Sequence, residues 1–409
     1  MPARKTAKKA AKKVVKKKVP ARVRDRGDIA PDELLVKPKN KPKPIKGELQ
    51  DLMKDIDKTY GVGRIRRASQ LPRFNHIPTG IFLLDFALLG GFAEGLPAML
   101  YGMESSGKTT GAMKAIANFQ HKHPNKRVAF VDPENTFDPL WAETQGVDTE
   151  NLVYADPESG EKAVDLVDAF SRTAEIGMIV LDSIPALVPM KLVEDSAADA
   201  NVALVARLMG KLCSKLSQSA ISERKRGHTV TFLSINQFRA RIGGPPAFGV
   251  PKMLPGGFQS NFFHMTKVEL ANYVKLGKDR HGFETPEFNE HKFKITKSKV
   301  GASIRNGEFV MIANPDHELG QGTIMDAKTV GSYAKKLGII TGNSPKIRLE
   351  PWDLTFKKQD ELFDAIEKNT QLSNYLKHHC IAKQRENKGL PALPPDGYLV
   401  DYNAGEVHA

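Results

Sequence analysis

The chain has 409 residues, 40% of them hydrophobic, enough for one large core and, at roughly 150 residues per domain, for two or three units. It has 61 Lys+Arg against 47 Asp+Glu and two cysteines, Cys213 and Cys380, too few for a disulfide framework or a four-cysteine zinc site and consistent with a reducing interior. No run approaches the roughly 18 apolar residues of a spanning helix, and lysines break up the N-terminal valines where a signal peptide would be apolar, so a cytoplasmic chain with no membrane partner is expected.

The positive charge is concentrated at the start. Residues 1–46 hold 17 Lys+Arg and 4 Asp+Glu, a net of +13, while residues 47–409 net only +1. The runs AKKAAKKVVKKK and KPKNKPKPIK carry too few large apolar side chains to offset ordering entropy, so a disordered basic tail is expected. It suits either a solubilising role or a salt-sensitive, sequence-independent contact with a polyanion.

Within residues 47–75, Leu49, Leu52, Met53, Ile56 and Tyr60 recur at three- and four-residue spacing, which predicts an amphipathic helix ended by Gly61 and Gly63. Such a stripe needs a partner surface. Residues 76–315 alternate short apolar runs with longer periodic segments. Strands are expected at Ala98–Tyr101, Val128–Val131, Met178–Leu181 and Val230–Ile235, and helices at Thr109–Gln120, Glu161–Glu175 and Asn201–Ser222. This alternation argues for an α/β fold with a mostly parallel central sheet covered on both faces. Residues 316–409, with periodic segments at Ala327–Leu337 and Lys358–Lys368, read as a small C-terminal domain with a Pro- and Gly-rich tail.

The chemistry starts at Gly102-Met103-Glu104-Ser105-Ser106-Gly107-Lys108-Thr109-Thr110, which has the spacing of a phosphate loop and stands between an expected strand and an expected helix. Its glycines let backbone N–H groups converge on phosphate oxygens, and the helix N-terminus adds partial positive charge. Lys108 is expected to reach the β- and γ-phosphates, and the Thr109 hydroxyl to ligate Mg²⁺. The run MIVLDS puts Asp182 at the end of a buried strand, where it can hold the same Mg²⁺ or, read alone, cap a turn. Glu134, after the strand Arg127–Asp132, stands on the same sheet edge as a candidate to activate water, or is a surface carboxylate. Trp141 reads as a core anchor or as a plane for a nucleobase. The loop Phe238–Gly257 has five Gly, four Pro, Arg239 and Arg241 and no acid, so it suits phosphate contacts or a solvated surface.

Four segments, GMESSGKTT, VDPENTFDPLWAETQGVD, MIVLDSIPALVP and SINQFRARIG, together resemble the RecA family of DNA recombinases in order and spacing, from about residue 47 to about 345. The resemblance implies a RecA-like P-loop ATPase core with an N-terminal polymerisation helix and a small α/β C-terminal domain. It implies a DNA-dependent ATPase using ATP and Mg²⁺ that forms helical homo-oligomeric filaments on single-stranded DNA and exchanges strands with double-stranded DNA. Under it, Glu134 corresponds to the catalytic glutamate, Trp141 to the adenine-stacking aromatic, and Gln237 to the glutamine that senses the γ-phosphate. Lys297 and Lys299 match lysines that reach a neighbour's γ-phosphate, and Phe262 matches an interface phenylalanine. Arg207, Arg239, Arg241, Ile242, Gly256 and Gly257 fall at the family's DNA-facing positions, with Ile242 as a wedge between base steps and Arg207 at a helix start. The chain departs from the bacterial pattern at Asn261 and Ser214, where lysine and arginine are usual, and in Pro245-Pro246 and Pro251. These departures suit a divergent member, a phage protein among the options. A ring helicase with the same core, or a DNA-coating filament protein switched by ATP, are the alternatives.

Overall fold

The computed structural model describes residues 47–60, 74–190, 202–240, 252–278, 284–391 and 393; the basic tail, residues 191–201, Arg241, Ile242 and the C-terminal tail lie outside them. The chain divides into two compact units, residues 1–66 and 67–409. In the first, the expected amphipathic helix is α1 (Glu48–Tyr60), with Glu48 and Asp51 in its first turn and Lys58 in its last, each favourable to the helix dipole. No residue of α1 is buried, and Leu49 and Leu52 are each 52% exposed.

The second unit begins with β1 (His76–Ile77), α2 (Phe82–Leu88), β2 (Phe92–Ala93) and β3 (Ala98–Gly102), and continues through α3 (Lys108–Lys122), β4 (Arg127–Val131), α4 (Pro139–Thr144) and β5 (Leu152–Ala155). Next come α5 (Gly160–Ser171), β6 (Ile176–Leu181), α6 (Val202–Lys225), β7 (Thr231–Gln237), β8 (Arg239–Ala240), β9 (Lys252–Met253) and α7 (Gly257–Phe263). The unit closes with β10 (Thr266–Lys278), β11 (Glu284–Ser298), β12 (Asn306–Ile312), α8 (Ala327–Lys336), β13 (Ile347–Leu349), β14 (Leu354–Phe356), α9 (Gln359–Lys368) and α10 (Thr370–Asn387).

Eight strands form the central sheet in the order β12-β11-β10-β3-β7-β6-β4-β5. The six from β10 to β5 pair in parallel, and β11 and β12 are added antiparallel. Strands β3 and β6 are buried along their full length, as unbroken apolar runs dictate for a sheet covered on both faces. Period-two geometry divides their side chains between the faces. Leu100, Phe130, Val180 and Leu233 join α3 residues such as Met113 and Ile116 on one side. Met99, Ala129, Ile179 and Phe232 meet α5 and α6 on the other, through Val164, Leu212 and Leu216.

Beyond β12, helices α8, α9 and α10 and the β13–β14 hairpin bury a third cluster that includes Phe82 and Phe86 of α2. Those two rings meet Tyr333 edge-on, with centroids 6.1 and 4.8 Å away. A buried Lys377–Asp326 ion pair at 2.9 Å joins α10 to the start of α8, and Arg385 donates to the Leu89 carbonyl oxygen at 2.5 Å. No described helix is long and apolar enough to cross a membrane, and Cys213 and Cys380 are free and buried.

Candidate active site

The phosphate-loop segment folds as its spacing predicts. β3 delivers Gly102 to the sheet edge and α3 starts at Lys108, with Gly107 at its N-cap in the left-handed region, φ 84°. A Cβ on Gly102 would stand 2.2 Å from the Leu270 carbonyl oxygen, and one on Gly107 would stand 2.7 Å from the His291 ring. Neither position has room for a side chain, and the first N–H groups of the helix that follows have no intrahelical acceptor, an arrangement suited to an anion.

Lys108 is 9% exposed, and its ammonium donates to the Met103 carbonyl oxygen at 2.6 Å and to Ser106 Oγ at 3.4 Å. Burial pulls its pKa below the usual lysine range, while the carboxylates of Asp182, Glu134 and Glu104 hold it up. The Thr109 hydroxyl donates to Asp182 Oδ2 at 2.7 Å, so the two expected Mg²⁺ ligands already face each other. Asp182 directly follows β6 and is 7% exposed; burial pushes its pKa up to about 7, helped by Glu134 and Asp132 and opposed by the Thr109 hydrogen bond. A divalent cation there would reverse that penalty, because the ion becomes the largest local charge.

Glu134 is exposed on the turn after β4, and its Oε1 accepts a hydrogen bond from the Ser183 hydroxyl beside Asp182. The turn is shaped by Asp132, a residue that the sequence reading treats only as a strand end. Asp132 is 1% exposed; its Oδ1 accepts the N–H groups of Glu134 and Asn135 at 3.0 and 2.9 Å, and its Oδ2 those of Thr136 and Phe137 at 2.8 and 2.9 Å. Each bond to a charged acceptor contributes about 1.5–3 kcal/mol, so four together offset the several-kcal/mol cost of burying a carboxylate. The Asp-Pro-Glu-Asn run was the available signal, since an Asp side chain readily accepts N–H groups two and three residues on.

Gln237 ends β7 directly opposite Gly102 in the parallel register, which puts it beside the phosphate loop. Trp141 lies on α4, whose N-cap Asp138 accepts the Leu140 and Trp141 N–H groups, and is half-buried against the same core as Phe137. Arg239 is exposed, yet its guanidinium donates to the Pro185 carbonyl oxygen at 3.0 Å, tying the start of the DNA-loop candidate to the turn after Asp182. Arg207 is exposed in the second turn of α6 rather than at the helix start, because the helix already begins at Val202. Gly256 and Gly257 have φ of 98° and 70°, and a Cβ on Gly257 would stand 3.1 Å from Ala206 Cβ, so the close approach of α7 to α6 accounts for both glycines. Arg241 and Ile242 lie outside the described residues.

Lys297, Lys299 and Phe262 are not brought to this edge. Thr266 pairs with both Ala98, the first residue of β3, and Ser298, so the two lysines stand at the start of β3 while the phosphate loop follows its end. Four residues of strand separate them by about 13 Å. The Lys297 ammonium donates to the carbonyl oxygens of Asn261 and Phe262 at 2.7 and 3.0 Å, complementing the C-terminal end of α7, and Lys299 is exposed. Phe262 is 72% exposed and Phe258 82%. Asn261 accepts from Lys267 Nζ at 2.5 Å.

The family model of the RecA N-terminal domain matches residues 47–318, which include every site residue placed above. Protein RecA of Oceanobacillus iheyensis is 36% identical over 268 residues, 64% of this chain and 73% of that protein. Protein RecA of Bacillus subtilis is 35% identical over 291 residues, 70% and 79% of the two chains. Protein RecA of Nostoc punctiforme is 33% identical over 347 residues, 83% and 88%.

Proposed function

The chain belongs to the RecA family and is an ATP-dependent DNA recombinase; from that premise we propose a division of labour among its residues. The cradle from Gly102 to Thr110 binds the phosphates of ATP, with Lys108 directed at the β- and γ-phosphates and the half-buried Trp141 offering a plane to the base. Thr109 and Asp182 would hold Mg²⁺, which supplies charge neutralisation at the phosphate oxygens when bound. Glu134 orients the attacking water and takes its proton, while Ser183 and Asp132 fix its carboxylate and its backbone. Gln237, between the phosphate loop and Phe238–Gly257, senses the γ-phosphate and passes that state to the DNA loop.

Single-stranded DNA is held through its backbone by Arg207, Arg239 and Arg241, with Ile242 between base steps and the basic tail adding non-specific attraction. Base pairing between strands then tests homology, so the protein needs only backbone and shape contacts. The observation that carries the reading is the separation of the phosphate cradle from Lys297 and Lys299 along one sheet. Lysines about 13 Å from their own cradle serve a phosphate of another copy when protomers stack head to tail, and a stack that does not close is an open helix. Phe262 and the apolar stripe of α1 are the surfaces such stacking would cover. Electron microscopy with single-stranded DNA and a non-hydrolysable ATP analogue tests this. Extended helical filaments are expected; closed rings would favour the helicase reading, and monomers on DNA would contradict both.

A further inference from the structure

The cradle's outer side faces phosphate in the reading above; its inner side faces the β10–β11 hairpin. Asn272 on β10 and His291 on β11 are direct partners in the antiparallel register, and His291 is in turn opposite Phe309 on β12, so the three side chains leave one face of the sheet side by side. Asn272 Nδ2 donates to the Ser105 carbonyl oxygen at 3.1 Å. His291 Nδ1 stands 3.2 Å from the Ser106 carbonyl oxygen, which can only accept, so Nδ1 carries the proton. The imidazole is 2% exposed and stacks on Phe309, with centroids 4.8 Å apart and planes at 12°. Its Nε2 is buried without a hydrogen-bond partner among the described residues, and burial lowers the ring's pKa, so the ring is neutral with a single donor aimed at the loop.

We propose that Asn272 and His291 are positioning residues: a two-point clamp that sets the phosphate loop in its anion-binding conformation before nucleotide arrives. In a trans peptide the carbonyl and the N–H point in opposite directions. Holding the Ser105 and Ser106 carbonyl oxygens on the hairpin side therefore turns the N–H groups of Ser106 and Gly107 to the phosphate side. Ser105, at φ 56°, adopts a left-handed conformation that costs a non-glycine residue energy and needs such external support, while Gly107, at φ 84°, takes that region freely. A Cβ on Gly107 would stand 2.7 Å from the imidazole, which leaves this position no room for a side chain.

The inference rests on the loop being the triphosphate seat, and the experiment separates the two. The affinity of the full-length, DNA-free protein for a fluorescent ADP analogue is measured for the unaltered chain, His291→Phe, His291→Asn and Asn272→Ala. Phenylalanine keeps the stack on Phe309 but leaves the Ser106 carbonyl unpaired; asparagine places an amide nitrogen where Nδ1 stands. His291→Phe and Asn272→Ala are each expected to bind about tenfold more weakly, and His291→Asn to recover to within about threefold. The double variant His291→Phe/Asn272→Ala is expected to lose less than the product of the single losses, since both act on one loop. Unchanged affinity in His291→Phe, or an equal loss in His291→Asn, overturns the clamp. If His291→Phe does not fold, Asn272→Ala decides alone: unaltered ADP affinity there overturns the proposal. Failure of the unaltered chain to bind the ADP analogue overturns the nucleotide reading itself.

Discussion

The two ends of the central sheet hold their functional groups in opposite ways. Where the parallel strands end, Ser106, Lys108, Asp132 and Asp182 are all less than 10% exposed and bonded to one another, to Thr109 or to local backbone. Where β3 and β10 begin, Phe262 is 72% exposed, Lys299 is open to solvent, and Lys297 donates to the end of α7. A buried set of this kind is preorganised, because hydrogen bonds within one chain already hold its groups in place. Phe258 and Phe262 expose their rings beside these lysines, which on the proposed reading is a surface for a second copy. On the proposed reading, one protomer carries the phosphate cradle at one end and, at the other, groups that serve a neighbouring copy.

The largest effect that sharpens this contrast is at Lys108. Lys108→Ala is expected to cut ATP turnover by about 10³-fold, since it removes the only ammonium inside the described cradle. Near-normal turnover would remove the active-site assignment. Replacing both Lys297 and Lys299 by alanine is expected to lower DNA-stimulated turnover by about 10²-fold. ADP affinity of the DNA-free chain should stay unchanged in that variant; a matching loss of affinity would put the lysines in their own protomer's site.

A smaller loss is expected from Asp132→Ala, about tenfold in turnover with about 2–3 kcal/mol of stability, because four N–H groups of the Glu134 turn lose their acceptor. Steady-state kinetics with a denaturation curve checks both. If stability falls while turnover holds, Asp132 supports the fold and not the position of Glu134.

The smallest effect concerns the open end, where His264 follows α7, is wholly buried, and bonds to the Ser260 carbonyl and Ser234 hydroxyl oxygens at 2.7 and 2.8 Å. Burial lowers its pKa from 6.5 to about 4. Between those values the unfolded chain binds the proton and the folded chain does not, so its contribution is complete above pH 6.5 and is lost as pH falls toward 4. That amounts to at most about 1.4 kcal/mol per pH unit. Melting temperatures from pH 7 to 5 are expected to fall less steeply in His264→Gln than in the unaltered chain; identical slopes would exclude this histidine as the acid-labile group.

What the sequence makes legible is local. The segment Gly102–Thr110 and the pair β6–Asp182 are contiguous, so spacing and strand context locate them, and the three- and four-residue spacing of Leu49, Leu52, Met53, Ile56 and Tyr60 is enough for α1. Element ends are less legible. The helix expected to run to Glu175 stops at Ser171, because the turn through Thr173 leads the chain into β6 at Ile176. Contacts made by register are hidden altogether: Asn272 and His291 meet only because two long strands pair antiparallel. The placing of Phe82 and Phe86 in the cluster with Tyr333 and Leu376 is likewise set by tertiary packing, to which their local spacing gives no guide. The roles expected of Arg241 and Ile242 fall outside the described residues.

Mixing two inactive variants tests the split site most directly. Lys108→Ala lacks the cradle's ammonium but keeps both lysines at the other end; Lys297→Ala/Lys299→Ala has the reverse defect. In equimolar mixed filaments on single-stranded DNA, about a quarter of the head-to-tail contacts unite an intact cradle with intact lysines, so turnover is expected to recover to about a quarter of the unaltered level. Turnover in the mixture no higher than the sum of the two variants alone would contradict a site shared between protomers.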